Sequence, residues 1–256
     1  MLKEDVLEIV QDTKDQFIGQ IFSRPKKGES RIRPILNLKP LNRHVQYMHF
    51  KMESIKEVKA LLQKDSWMVK IDLKSAYWHL PIWEEHRKLL RFRCKGTLFQ
   101  MKTLPFGLAP GPRIFTKVMK IPVALLRRQG VMLVIYLDDM LLVGRSLEEI
   151  KRAKDYTIFL LNQLGLTINY KKSILVPSKE MEFLGFVFNT TKMQISLSDA
   201  KSTTLILLCQ QTLHSQSLSV RELLTLIGKL QAVNHAITLT PLQLRNLQRL
   251  SIQTSS

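Results

Sequence analysis

Val131-Met-Leu-Val-Ile-Tyr-Leu-Asp-Asp-Met-Leu-Leu-Val143 sets two adjacent carboxylates, Asp138 and Asp139, inside a run that is otherwise almost wholly apolar. Ionised carboxylates are costly in a buried strand unless paired or bound to metal. Strand, tight turn, strand avoids that cost, with the aspartates at the tip. The apolar arms then anchor the hairpin in a core and the carboxylates project into a cleft. The plainer reading is an ordinary hairpin whose turn holds Asp because turns favour Asp. The stretch alone does not choose between a turn and a site.

The chain carries 39 basic against 21 acidic residues, a formal net charge of +18 over 256 residues. That excess goes beyond solubility and predicts a polyanionic partner, nucleic acid first and an anionic membrane surface second. No run reaches the ~18 apolar residues of a membrane span. Met1-Leu-Lys-Glu-Asp5 is polar and does not read as a signal peptide. An apolar fraction of 45% argues against disorder. Cys94 and Cys209 are far apart, so they form neither a metal-spacing pair nor a disulfide framework. The six histidines show no ligand spacing either. A reducing, intracellular setting is expected.

Around the aspartates the pattern alternates strands and helices. Residues 4–22 carry a loose helical pattern (Val6, Ile9, Val10, then Phe17, Ile18, Ile21), followed by the basic loop Ser23–Arg31 and a strand over Ile32–Leu38. Ser54-Ile-Lys-Glu57 is a capping box opening a helix over 54–64. Trp67–Leu73 reads as a strand ending at or just after Asp72, and Leu90–Cys94 with Thr97–Met101 as a hairpin around Lys95-Gly96. A Pro/Gly-rich loop, Leu104–Pro112, leads into a helix of roughly 113–129, which Pro122 should kink or split. Ser146-Leu-Glu-Glu149 opens another helix, ending at Gly165, and Leu166–Asn169 reads as a short strand. Glu182–Phe188 and Met193–Leu197 read as strands around the turn 189–192. Beyond residue 198 the pattern is helical, with a capping box at Ser219-Val-Arg-Glu222 and a last helix opened by Thr240-Pro241.

Asp72 is a third carboxylate at a strand end. Carboxylates within about 4 Å of one another repel by roughly 4 kcal/mol per pair at an effective dielectric near 20. Divalent cations relieve that repulsion, and hard oxygen ligands select Mg²⁺, which keeps coordination positions for substrate phosphates. Two ions roughly 3.5–4 Å apart serve phosphoryl transfer. With a basic surface, the chemistry points to joining a primer 3′-hydroxyl to a nucleoside triphosphate.

Six segments, in order, resemble the motifs of reverse transcriptases. They are Arg33-Pro-Ile-Leu-Asn-Leu-Lys-Pro-Leu-Asn42, Lys70-Ile-Asp-Leu-Lys-Ser-Ala-Tyr77, Leu104-Pro-Phe-Gly-Leu-Ala-Pro-Gly-Pro112, Tyr136-Leu-Asp-Asp139, Leu164-Gly-Leu-Thr-Ile-Asn-Tyr-Lys-Lys172 and Phe183-Leu-Gly185. The likeness covers about residues 22–188. The Leu104–Pro112 form and the tail from Ile227 to Arg245 look most like the DIRS-like, tyrosine-recombinase group of retrotransposons.

The resemblance implies an α+β fold, a polymerase right hand whose palm is an antiparallel sheet, with fingers and a helical thumb. Residues 1–190 would be fingers and palm, the fingers truncated at their N-terminus, and 191–256 a thumb-like helical region. It also implies roles. Asp72, Asp138 and Asp139 bind two Mg²⁺ ions (Mn²⁺ as substitute), assisted by the backbone carbonyl of Leu73. Lys26, or Lys27 in the alternative register, and Arg33 contact the triphosphate. Lys74, Ser75, Ala76 and Tyr77 line the dNTP site, where Tyr77 excludes a 2′-hydroxyl. Phe106 and Gly107 pack near the base pair. Lys172, with Lys171 as competitor, donates a proton to pyrophosphate. Phe183, Leu184, Gly185 and Phe186 form the primer grip, unless they are plain core packing. Partners would be an RNA template, a DNA or RNA primer and dNTPs, with no membrane. The alternative is an inactive reverse-transcriptase-like module that grips RNA or DNA without chemistry.

Overall fold

The apolar arms around the aspartates do form a hairpin, in the middle of the chain's computed structural model, which describes residues 4–25, 32–236 and 241–253. In chain order the first elements are β1 (Leu7–Ile9), β2 (Ile18–Pro25), β3 (Ile32–Asn37), α1 (Lys39–Asn42), α2 (Ile55–Leu61) and β4 (Trp67–Asp72). After a 3-10 turn at Ala76–His79 come α3 (Glu84–Arg87), β5 (Arg91–Cys94), β6 (Thr97–Met101) and α4 (Gly111–Arg128). The hairpin is β7 (Met132–Tyr136) and β8 (Asp139–Gly144), followed by α5 (Leu147–Gln163). Then come β9 (Ile174–Ser178), β10 (Glu180–Phe183), β11 (Phe186–Asn189) and β12 (Gln194–Leu197). The helices α6 (Asp199–His214), α7 (Val220–Ala232) and α8 (Pro241–Gln253) close the chain.

The central sheet has the order β7-β8-β4-β9, and every pairing in it is antiparallel. Both faces are covered over β7 and β8, which explains their long apolar runs. Val69, Ile71, Leu133, Met140 and Leu142 face α4 and α5, packing on Phe115, Met119, Ile150 and Leu161. Met68, Val134 and Leu141 face the other way, onto α2 and the small sheet β10-β11-β12. A five-stranded sheet, β1-β6-β5-β2-β3, builds a separate cluster from Val6, Leu36, Leu90, Phe92 and Met101.

Several expectations are corrected. Residues 4–22 are strands, not a helix: Leu7 pairs with Met101 across β1 and β6, and Ile18 with Arg91 across β2 and β5. The sheet partners override the apolar spacing, and Asp5 and Asp15 at φ 54° and 59° turn the chain where a helix would continue. Leu166–Asn169 forms only a single bridge, Leu73 with Ile168. Glu182–Phe188 is not one strand but a hairpin, since Leu184 and Gly185 take φ of 52° and 76° and fold β11 back on β10. Helix α4 runs through Pro122, whose ring is buried, although proline has no N–H to give the Val118 carbonyl.

Gly144 is where the fold is tightest beside the hairpin. A Cβ there would lie 2.8 Å from the backbone nitrogen of Ile150, because the start of α5 sits directly on the end of β8. Gly144→Ala must therefore push α5 off the sheet. The expected loss is about 1–3 kcal/mol, read as a lower midpoint in denaturant unfolding; an unchanged midpoint would contradict this packing.

Candidate active site

Two residues, Leu137 and Asp138, connect β7 to β8, with Tyr136 opposite Asp139. Such short hairpins need positive φ at the first central residue, and Leu137 supplies it at 54° without being glycine. A side chain in that region costs about 1–2 kcal/mol. The buried strands on either side impose it.

The β4–β8 register places Asp72 directly opposite Asp139. Directly opposed residues have Cβ atoms about 4.5–5.5 Å apart. The amide of Leu73 donates to the carbonyl of Asp138 at 2.9 Å, fastening the turn to the end of β4. The loop after α5 fixes that strand end from the other side. Asn169 N donates to Asp72 O at 2.8 Å, Lys74 N to Thr167 O at 2.8 Å, and Asp72 N to Ser173 Oγ at 3.0 Å. Asp72, distant in sequence, is thus brought beside the adjacent pair Asp138 and Asp139 at one end of the sheet.

Asp72 is only 5% exposed, and its Oδ1 is buried with no hydrogen-bond partner. Burial pushes its carboxyl above the usual range, helped by the charge of Asp139, while Lys172, Asn169 and Lys70 oppose the rise. Burial also raises Asp138, with Asp139 and Asp72 adding to it and Lys172 opposing. Asp139 is held by Lys70, whose Nζ lies 3.2 Å from its Oδ1. Lys70 stands two residues before Asp72, so strand alternation puts both side chains on one face. That period-two spacing was the available signal for this lysine.

Among the described residues no three His, Cys, Asp or Glu side chains already converge as a metal cage. The donors nevertheless fit a hard divalent ion. They are carboxylate oxygens, one buried oxygen is orphaned, and two of the groups are desolvated in a way that a cation would offset.

Tyr77 follows in the 3-10 turn, 8% exposed. Its ring stacks on Phe106 with centroids 4.9 Å apart and meets Phe115 at 5.5 Å. Burial, with the nearby charges of Asp138 and Tyr136, pushes its hydroxyl up to about 12. Phe106 keeps one side open to solvent at 41% exposure. Gly107, at φ 97°, passes so close to Leu36 that a Cβ would be 3.2 Å from its carbonyl. Asn42 clamps this loop: its Nδ2 donates to Gly107 O at 2.8 Å, and Ala109 N donates to its Oδ1 at 2.8 Å. Before Tyr77, Ala76 is buried, Ser75 sits at φ 51°, and Lys74 pairs with Glu4 at 3.8 Å.

Other candidates separate. Lys172 is exposed, and its charge reaches both Asp72 and Asp138. Phe183 and Phe186 are buried in the cluster under the sheet, so their rings pack rather than reach out. The tip of that hairpin is Leu184-Gly185, and α6 rests on it through Lys201, whose Nζ lies 3.8 Å from the Phe186 ring centre. Arg33 lies on β3 opposite Arg24. Lys26 and Lys27 fall outside the described residues. A groove of about 650 Å³ lies between α4 and the edge of β7, and none of the aspartates lines it.

A family model described as reverse transcriptase (RNA-dependent DNA polymerase) matches residues 24–188. The chain belongs to the reverse transcriptase family. It is 29% identical over 184 residues to the genome polyprotein of Petunia vein clearing virus, covering 71% of this chain and 8% of that polyprotein. It is 26% identical over 245 residues to a putative enzymatic polyprotein of Cassava vein mosaic virus, 93% of this chain and 35% of that one. It is 28% identical over 179 residues to the Tf2-3 transposon polyprotein of Schizosaccharomyces pombe, 70% of this chain and 13% of the polyprotein. The chain thus spans a minor part of these relatives. Among solved structures, the foamy viral protease-reverse transcriptase in complex with double-stranded DNA superposes with a TM-score of 0.75 at 21% identity. That match covers 91% of this chain and 38% of that one. The same viral protein with an RNA/DNA hybrid gives 0.69 at 20% identity, covering 91% and 29%. The likeness shows the fold: β7-β8-β4-β9 is a polymerase palm.

The electrostatics of this reverse transcriptase palm set two measurable behaviours. A carboxyl raised by folding holds its proton more firmly in the folded state. Its stabilising share is complete below the unfolded value, 3.8 for Asp72, and is lost as pH rises through the folded one. At neutral pH the charged Asp72 therefore costs stability. Metal-free Asp72→Asn should melt higher than the parent at pH 7.5, with the gap closing towards pH 4. The opposite change is expected for Lys70→Met, which strips Asp139 of its cation. Its melting temperature in EDTA should fall, and Mg²⁺ should raise it by more than in the parent.

Proposed function

We propose that the chain is an RNA-directed DNA polymerase, adding deoxynucleotides to a primer 3′-hydroxyl on an RNA template. The observation that carries this reading is the register of Asp72 opposite Asp139, with Asp138 in the adjoining turn. Asp72, Asp138, Asp139 and the Leu73 carbonyl would hold two divalent ions (Mg²⁺, with Mn²⁺ as substitute), which would supply activation of the attacking hydroxyl and neutralisation of the leaving pyrophosphate. The protein's part is positioning. Lys26 or Lys27 and Arg33 hold the triphosphate, with Lys74, Ser75 and Ala76 beneath it. Tyr77, braced by Phe106 and Phe115, fills the space a 2′-hydroxyl would need. Gly107 lets the loop approach the base pair closely. Lys172 delivers a proton to pyrophosphate. The Leu184-Gly185 turn steers the primer end. Residues 1–190 would act as fingers and palm and 191–256 as thumb, in an intracellular setting. The Leu104–Pro112 form and the tail from Ile227 support an origin in a DIRS-like retroelement.

Primer extension on an RNA template with Mg²⁺ and dNTPs tests the reading. Asp138→Asn should cut the rate by ~100-fold or more, beyond the loss typical of groups that merely support a metal ligand. Binding of the duplex without extension under Mg²⁺ or Mn²⁺ would instead leave an inert binding module. The net charge of +18 further requires affinity to fall steeply with salt as phosphates shed counterions.

Tyr77 offers an independent check. Tyr77→Val opens the sugar pocket, so the preference for dNTP over rNTP, as a ratio of kcat/KM, should drop on the order of 10- to 100-fold. An unchanged ratio would return Tyr77 to a core-packing role.

A further inference from the structure

Helix α4 is apolar on two sides. Phe115, Met119, Pro122 and Leu126 are buried against the palm sheet. A second row, Ile114, Val118, Ile121 and Leu125, stays in solvent, with exposures of 36%, 41%, 68% and 39%. Four large side chains in one contiguous row form an apolar patch, which solvent-exposed surfaces normally avoid. Their spacing of four, three and four is the seam spacing of paired helices. At about 100° per residue the four directions fall within roughly 60° of one another.

The helix is also strongly one-signed. It carries Arg113, Lys117, Lys120, Arg127 and Arg128 and no acidic residue. Arg127 is taken up by Glu53 and by the Leu133 carbonyl at 3.0 Å, on the side of the helix facing β7. Lys117 and Arg128 are exposed. On the helical wheel both fall just beyond Ile121 along the outer border of the apolar row. The row and its cations therefore form one continuous face.

That combination selects the occupant. A second copy would set Lys117 and Arg128 against their own equivalents around the same seam, which like-charge repulsion opposes. Nucleic acid would satisfy the cations and leave the four apolar side chains wet. We infer that this face docks an amphipathic helix of a partner protein, with an apolar seam bordered by Asp or Glu. Helix α4 packs on the sheet face opposite Asp72 and Asp139, and none of the four residues belongs to the carboxylate site. Docking there does not depend on polymerase activity.

The probe is a synthetic helix of about three heptads, Leu at the seam and Glu at the flanking positions, followed by fluorescence anisotropy on the whole chain. The reference peptide has Lys at the flanking positions. The Glu-flanked peptide should bind, and added salt should weaken it. Val118→Glu/Ile121→Glu should weaken binding at least ~10-fold, while Leu213→Glu, at an exposed position on α6, should not. Both sites are solvent-facing, and thermal melting confirms that the variants fold. Equal affinity for the two peptides, or no loss in the double variant, would overturn the inference. Two further results would replace the partner helix by another occupant: mass-resolved dimerisation abolished by Ile121→Glu, or capture on phosphatidylserine vesicles abolished by it.

Discussion

A slip of one residue between β4 and β8 would carry Asp72 from the open end of the palm into the space now filled by Val69 and Ile71. Strand alternation makes the pairing all-or-none in this sense. Both faces of the sheet enforce the observed register. On one, Val69, Ile71, Met140 and Leu142 are fully buried beneath α4 and α5; on the other, Met68 and Leu141 are equally buried over Phe183 and Phe188. A slip would send Asp72 and Lys70 into the first layer. The three carboxylates are therefore placed by hydrophobic packing several residues away, and the aspartates themselves contribute repulsion. This also explains why Leu137 can occupy a conformation suited to glycine. Its turn is closed by the strands it joins.

The hairpin carries a second burden, because β7 is an edge strand. Exposed strand edges leave backbone groups unpaired and invite other chains. Here Glu53 accepts from the amide of Ile135 at 2.9 Å, and Arg127 donates to the carbonyl of Leu133. The two side chains also pair with each other. One ion pair thus plugs the edge and joins the loop before α2 to the end of α4. Both side chains also line the groove beside β7.

What could be read from the sequence was what is decided locally. The capping boxes at Ser54-Glu57 and Ser219-Glu222 form as written. At Ser146 only half does, because Glu149 reaches past the cap to the amide of Arg145. The apolar arms of the hairpin, the β5–β6 pair and α4 also follow from pattern. The failures are non-local. The residues before Ile21 look helical until β6 and β5 pair with them. No local signal marks Leu184 as a turn residue, and a run of aromatic and aliphatic side chains hid the β10–β11 hairpin. At the site, the proximity of Asp72 to the aspartate pair follows from no spacing rule; only the order of motifs implied it. Asn42, Ser173 and Lys70 do their work through contacts across the fold, so their partners were invisible in sequence even where the residues themselves were not.

The site is also where the chain departs from the rules that stabilise the rest of it. Asp72 keeps an orphaned buried oxygen, Asp138 is desolvated, and Leu137 holds a positive φ. The large positive charge elsewhere does little to offset this, because exposed cations more than about 10 Å away are screened by salt. Two lysines act at close range, Lys70 by direct contact and Lys172 through its field on Asp72 and Asp138. Two single charges on flexible stems face three carboxylates, and neither reaches the buried oxygen of Asp72 as a hydrogen-bond partner. A compact cation can approach what a lysine head group cannot. The shortfall left by the lysines is one that a divalent cation would make good.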